Sequence, residues 1–245
     1  REEIHMSVIG VPLRYTHMSD GRPILYLGEK VRRTLQKAGT IVFPICPVQD
    51  VDYIDTKGNM FPELTEEEKR VISKNLDMCD GLFFPGGGKF TPYDRYLLEL
   101  AIEKKIPVLG VCLGMQMMGC YDEEVKLEEN ESNILHHQGS DDLSLAHEVV
   151  IDKNSRLYQI IGEEKIMVNS FHKRHSMDNH VYRTVARSLD GQVEALEYPG
   201  KTFNLGVQWH PEISYDFDDN SRKLIDTFLE EVSVVSQRKM AIYDN

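Results

Sequence analysis

The stretch Pro107-Val108-Leu109-Gly110-Val111-Cys112-Leu113-Gly114-Met115-Gln116 carries an apolar strand into a helix through one abrupt turn. Its first five residues are short, apolar and bounded by proline, the composition of a strand buried on both faces. Residues 110–114 have the form G-x-C-x-G. Glycines two before and two after the cysteine let neighbouring backbone approach a tight, strained turn, as in the G-x-S-x-G elbow. Such a turn presents Cys112 at the carboxyl ends of the strands, facing a helix N-terminus. Backbone amides there favour a thiolate and can hold an oxyanion, and the amide of Leu113 is one such donor.

Working outward, Gly81-Leu82-Phe83-Phe84 is a second apolar strand and runs into Pro85-Gly86-Gly87-Gly88. Helical patterns flank it at 62–77 and 93–104. The first opens with Thr65 as N-cap and Glu68 three residues on. Nearer the start, 7–13 reads as a strand ending at Pro12. The span 24–38 reads as a helix on Leu27, Val31 and Leu35, closed by Gly39, and 40–44 as the next strand. Strands alternating with helices predict a three-layer, flavodoxin-like α/β fold with a mostly parallel sheet. Past the elbow, the acidic segment 122–133 reads as a solvated loop. Antiparallel strands are expected at 147–151, 165–168, 182–188, 193–198 and 203–208, with Asp190-Gly191 as a hairpin turn. An amphipathic helix over 218–232 closes the pattern, and the last residues show none. Without repeat or linker, the 245 residues read as a single domain with its core at about 7–232.

Composition narrows the function. Hydrophobic residues are 41% and charged residues 28%, as in soluble globular proteins. No apolar run is long enough for a membrane span, and residues 1–6 lack the apolar core of a secretory signal, so a cytoplasmic protein is expected. A net charge of −12, from 40 acidic and 28 basic residues, disfavours a nucleic-acid partner while leaving room for a locally basic pocket. The four cysteines show no CxxC spacing and read as reduced thiols.

A second chemical signal lies at Leu205-Gly206-Val207-Gln208-Trp209-His210-Pro211-Glu212. It puts a histidine at a strand end with a glutamate two residues on, in a relation constrained by the proline between them. A carboxylate on one imidazole nitrogen fixes the tautomer and leaves the other to take a thiol proton. Other histidines carry less. His136 and His137 follow the acidic loop without a third ligand at metal spacing, so no metal is expected. His175 and His180 read as surface residues, and Lys173-Arg174 as a solvated turn that could draw a substrate carboxylate.

Taken together, G-V-C-L-G-M-Q, the upstream F-P-G-G-G and the downstream G-V-Q-W-H-P-E resemble class I glutamine amidotransferases. The segment Val168-Asn169-Ser170-Phe171-His172 and Asp190-Gly191-Gln192-Val193-Glu194-Ala195 resemble the peptidase C26 branch, which includes γ-glutamyl-γ-aminobutyrate hydrolases. The similarity extends from about residue 8 to 228. It implies a Cys112-His210-Glu212 triad that cleaves a small γ-glutamyl substrate through a thioester, without a cofactor. It implies an oxyanion hole from Leu113 and a glycine amide, Gly87 with Gly88 as alternative, and substrate contacts at Gln116 and His172. It leaves a homodimer open. Departures lie at Leu113, where family hydrolases often carry arginine, and at 119–124, where a Gly-Gly-Thr-Leu turn is usual. The segment between the glycine loop and the nucleophile is also short for the branch. These are places where a leaving group could be held. The alternatives are a glutaminase subunit delivering ammonia to a separate synthetase, or a non-catalytic regulator of the same fold.

Overall fold

A nine-stranded sheet organises the computed structural model, which describes residues 6–51, 61–121, 126–139 and 144–243. The first half contains β1 (Val8–Pro12), β2 (Arg14–His17), β3 (Pro23–Tyr26), α1 (Glu29–Lys37), β4 (Ile41–Ile45), α2 (Glu66–Asp77), β5 (Gly81–Phe84), α3 (Pro92–Glu103), β6 (Val108–Val111) and α4 (Leu113–Gly119). The second half adds β7 (Glu128–Glu129), β8 (His147–Ile151), α5 (Arg156–Ile161), β9 (Lys165–Val168), β10 (Arg174–His175), β11 (Arg183–Ser188), β12 (Val193–Glu197), β13 (Asn204–Val207), α6 (Pro211–Ser214) and α7 (Asp219–Tyr243). Strand order across the sheet is β4-β1-β5-β6-β13-β12-β11-β8-β9. The first five run parallel and the last four alternate antiparallel. This is the expected three-layer class, a parallel core extended on one side.

The layers follow from the period-two geometry of buried strands. In β5, Phe83 packs with α1, α5 and α7 on one face, while Leu82 and Phe84 pack with α2, α3 and α4 on the other. In β6, Leu109 and Val111 take the first face and Val108 the second. At Gly110 any Cβ would come within 2.8 Å of Met118 Cε. The missing side chain is what lets α4 lie against the sheet.

Three expectations need correction. The helix read from residue 24 begins at Glu29, and Pro23–Tyr26 instead pairs with Arg14–His17 as a hairpin. Extended backbone at Gly28, with φ −59° and ψ 130°, separates the two elements. The acidic segment is not wholly solvated loop: Glu128–Glu129 pairs with Arg174–His175, and residues 122–125 lie outside the described part. The final helix continues to Tyr243, although no described helix is long and apolar enough to cross a membrane. By contrast, the box at α2 forms as expected, with Glu68 N donating to Thr65 Oγ1 and Thr65 N donating to Glu68 Oε2.

One buried ion pair ties the hairpin to the site. Arg14 Nη1 donates to Asp94 Oδ1 at 2.7 Å, and both side chains are buried. Asp94 Oδ2 accepts from the Thr91 amide and hydroxyl at the start of α3. Arg14 also donates Nε and Nη2 to the carbonyl of Pro85, which opens the glycine loop. Removing one member of such a pair leaves a buried charge unmatched. We therefore expect Arg14→Met to lower unfolding free energy by about 3–5 kcal/mol in urea denaturation. A loss under about 1 kcal/mol would mean that the pair contributes no more than an exposed one.

Candidate active site

The strand-to-helix turn places Cys112 as the residue before α4, with φ 52° and ψ −103°. A non-glycine residue at positive φ is strained and persists only when its surroundings over-determine it. They do so here. Cys112 N donates to Val207 O on β13, and Cys112 O accepts from Gln116 N one turn into α4. Gly114 sits against the end of β5, where a Cβ would meet Phe84 O at 2.4 Å. As the first residue of α4, Leu113 has an amide that no intrahelical bond satisfies.

His210 arrives from the end of β13, directly before α6. Its Nδ1 lies 2.7 Å from Glu212 Oε1, which leaves Nε2 directed towards Cys112. Burial opposes a charge on the ring. The Glu212 carboxylate and then the Cys112 sulfur, which also hydrogen-bonds the ring, raise the His210 pKa well above its ordinary value. The other cysteines do not share this setting. Burial pushes the Cys79 thiol up to about 12 and raises that of Cys120, while Cys46 is exposed. Cys112 is the cysteine that hydrogen-bonds His210.

Several groups that hold this pair carried no role in the sequence reading. Asn169 clamps the main chain of His210: its Oδ1 accepts from His210 N at 2.8 Å and its Nδ2 donates to His210 O at 2.9 Å. Phe171 stacks edge-on to the His210 ring, with centroids 5.6 Å apart. Thr34 on α1 donates its hydroxyl to Glu212 O. Gly86 packs on the imidazole, because a Cβ there would come within 2.8 Å of His210 Cε1. Gly87 lies instead beside Leu113 and Arg14, and Gly88 has open space. Asn169 lay inside a quoted motif, but nothing local in the sequence pairs it with residue 210.

A cavity of about 840 Å³ opens next to the turn, reaching Leu113 and Gly88. Cys112 itself is not on its wall. Lining residues include the basic Lys69, Lys89, Arg95, Lys126 and Arg174 against the acidic Glu63 and Glu99. The cavity is therefore locally basic in an acidic chain. Arg174 belongs to β10 rather than to a solvated turn, and its guanidinium donates to Gly88 O. Gln116 is buried, with Nε2 donating to Arg174 O and Gln208 Oε1. His172 does not line this cavity; it is buried with His136, His147 and Glu194.

Comparison with known proteins identifies the family. The peptidase C26 family model matches residues 91–212, from the cap of α3 through Glu212. A γ-glutamyl-γ-aminobutyrate hydrolase of Escherichia coli O157:H7 is 31% identical over 193 residues, covering 66% of this chain and 75% of that protein. The chain belongs to the peptidase C26 family. A second relative, a glutamine amidotransferase-like protein of Lactococcus lactis, is 28% identical over 203 residues, 73% of this chain and 85% of its own. Among solved structures, a GMP synthase component from Thermoplasma acidophilum superimposes with a TM-score of 0.62 at 14% identity, covering 98% of this C26 chain and 99% of its own. That likeness is one of fold.

Burial acts most strongly on His210 and opposes its charge, and Glu212 is the largest influence raising its pKa. In Glu212→Gln the desolvation that opposes charge prevails, and the His210 pKa falls. Imidazole NMR titration would show this directly, and an unmoved midpoint would refute it. In the wild type, a raised folded pKa makes the His210 contribution to stability complete below pH about 6.5, the ordinary histidine value. That contribution is lost as pH rises through the folded value.

Proposed function

We propose that this chain hydrolyses the γ-glutamyl amide bond of small γ-glutamyl compounds, with Cys112 as nucleophile, His210 as acid and base, and Glu212 orienting the imidazole. The observation that carries the reading is His210 held between a carboxylate at 2.7 Å and the Cys112 sulfur, beside a locally basic cavity. Cys112 Sγ attacks the γ-carbonyl carbon, and the carbonyl electron pair moves onto oxygen. The amides of Leu113 and Gly87, with Gly88 as alternative, receive that oxyanion. On collapse the carbon–nitrogen bond breaks and His210 donates its proton to the departing amine, leaving a γ-glutamyl thioester. Water then attacks the thioester, His210 takes its proton, and glutamate leaves as the Cys112 thiolate re-forms.

The cavity also bears on the leaving group. Its five basic and two acidic lining side chains favour an amine half that carries a carboxylate over one with a second ammonium. Gln116, expected to contact the glutamyl moiety, ties α4 to β10 and to Gln208 just past β13. A hydrolase that acts without a synthetase partner is the simplest form of this reading. The alternative glutaminase role draws on Leu113, which stands where family hydrolases often carry arginine.

The test is glutamate release from glutamine and a panel of γ-glutamyl amines, with wild type and Cys112→Ala in parallel. Turnover of γ-glutamyl amino acids such as γ-glutamyl-γ-aminobutyrate should exceed that of γ-glutamyl diamines by about tenfold or more, and Cys112→Ala should abolish it. Turnover that survives in Cys112→Ala would overturn the mechanism. Cleavage of glutamine alone, rising on addition of a synthetase partner, would establish the glutaminase role instead.

A further inference from the structure

On the antiparallel side of the sheet, three histidines converge on one carboxylate. They come from separate parts of the chain: His136 from the segment before β8, His147 from the first residue of β8, and His172 from the segment after β9. Glu194 lies on β12, and all four residues are buried. Glu194 Oε1 is 3.0 Å from His147 Nε2, 3.5 Å from His136 Nδ1 and 3.7 Å from His172 Nε2. Donor atoms of His136, His147 and Glu194 all lie within 4.8 Å of one another. Three buried atoms of these residues, His136 Nδ1, His172 Nε2 and Glu194 Oε2, make no hydrogen bond. Buried polar atoms without partners are costly and need an explanation.

The outward-facing nitrogens sharpen the pattern. His136 Nε2 is 2.9 Å from Asp190 Oδ2, His147 Nδ1 is 3.1 Å from Leu135 O, and His172 Nδ1 is 3.1 Å from Arg174 O. Each imidazole thus has an acceptor behind it, a carboxylate or a backbone carbonyl. With a metal bound, that arrangement would place the proton on the outer nitrogen and turn the inner lone pair towards the ion. A tetrahedral zinc with ligand bonds of roughly 2.0–2.2 Å separates its donor atoms by roughly 3.4 Å, close to the spacings around Glu194.

We propose that His136, His147 and Glu194 form a structural site for a zinc-like divalent metal ion, with His172 beside them and separate from the Cys112–His210 pair. Imidazole and carboxylate donors suit zinc and its first-row neighbours. His172 Nε2, 3.7 Å from Glu194 Oε1, is the nearest candidate for the fourth position that a closed, structural site requires. Residues 169–172 give it a purpose. Asn169 and Phe171 contact His210, whereas Ser170 donates to His136 O and His172 enters the cluster. A metal here would brace the segment that holds His210. Binding of the ion does not depend on which amide the chain cleaves.

The decisive experiment uses the full chain without a histidine tag. After equilibration with zinc and desalting, mass spectrometry of metals should find about one zinc per chain, and cobalt(II) should give the intense visible bands of a four-coordinate site. Asp190→Asn keeps an oxygen for Ser188 and Gln192 but removes the carboxylate charge behind His136, so it should fold while binding zinc about 10- to 100-fold more weakly. Glu194→Gln should lose the cobalt spectrum. No retained zinc in the wild type, with cobalt showing only its aqueous spectrum, would overturn the proposal and leave the cluster as an ionised histidine–glutamate network.

Discussion

The backbone at Cys112 must reverse from strand to helix within one residue, and most of the molecule can be read as the means of holding that turn. A conformation with φ 52° and ψ −103° costs on the order of 1–3 kcal/mol. It is offset by contacts that exist only when the parallel strands are in register. Val207 O receives the Cys112 amide from one side. On the other, the end of β5 comes close enough to Gly114 that a methyl group could not be inserted. Both neighbours of β6 are therefore needed, and both end at the same edge. That edge is where open α/β sheets place their sites, because every loop leaving a parallel strand emerges there. The glycine loop after β5, the elbow after β6 and His210 after β13 are three such exits.

Electrostatics then divide the molecule. Its mean charge is strongly negative, yet basic groups gather in the cavity beside the elbow. The two buried acid–base arrangements nearby differ in kind. Arg14 and Asp94 satisfy each other and the glycine loop completely enough to act as a fixed strut. His210 and Glu212 leave one imidazole nitrogen directed at Cys112, which is what a proton-transfer group requires. Rigidity in the first pair serves mobility of a proton in the second.

What could be read in advance was what local chemistry dictates. The alternation at 147–151 and 165–168, the Thr65–Glu68 box and the Gly-rich elbow each depend on residues a few positions apart. The helix expected from residue 24 failed because Ile24, Leu25 and Tyr26 fit a helical spacing equally well. Pairing with residues 14–17 decided the matter, and that pairing is tertiary. Apolar periodicity fades after Val232, but the helix continues through polar contacts: Ser236 donates to Asp80 Oδ2, and Lys239 donates to Cys79 O and pairs with Asp80. In the site, Cys112, His210 and Glu212 stood in recognisable strings. Arg14 with Asp94, Asn169 with His210, and the four members of the histidine cluster did not. Their partners lie far apart in the chain, and no spacing rule connects residues 136, 147, 172 and 194.

The position of His210 illustrates why such long-range partners matter more than the motif around it. Proline at 211 restricts the chain beyond the histidine, but a strand end followed by a four-residue helix would still let the imidazole drift. Asn169 removes that freedom by bonding both the amide and the carbonyl of His210, leaving the ring itself for Glu212 and Cys112. Gly86 closes the remaining side, since a larger residue would occupy the ring's place. The restraint on the main chain comes from β9's end and the restraint on the ring from α6 and the β5 loop. Misplacing the ring would require several of these contacts, on different layers, to break together. Residues 169–172 alternate their side chains between His210 and the buried histidine cluster. The antiparallel extension of the sheet is thereby mechanically part of the site, although every reacting group proposed here sits on the parallel side.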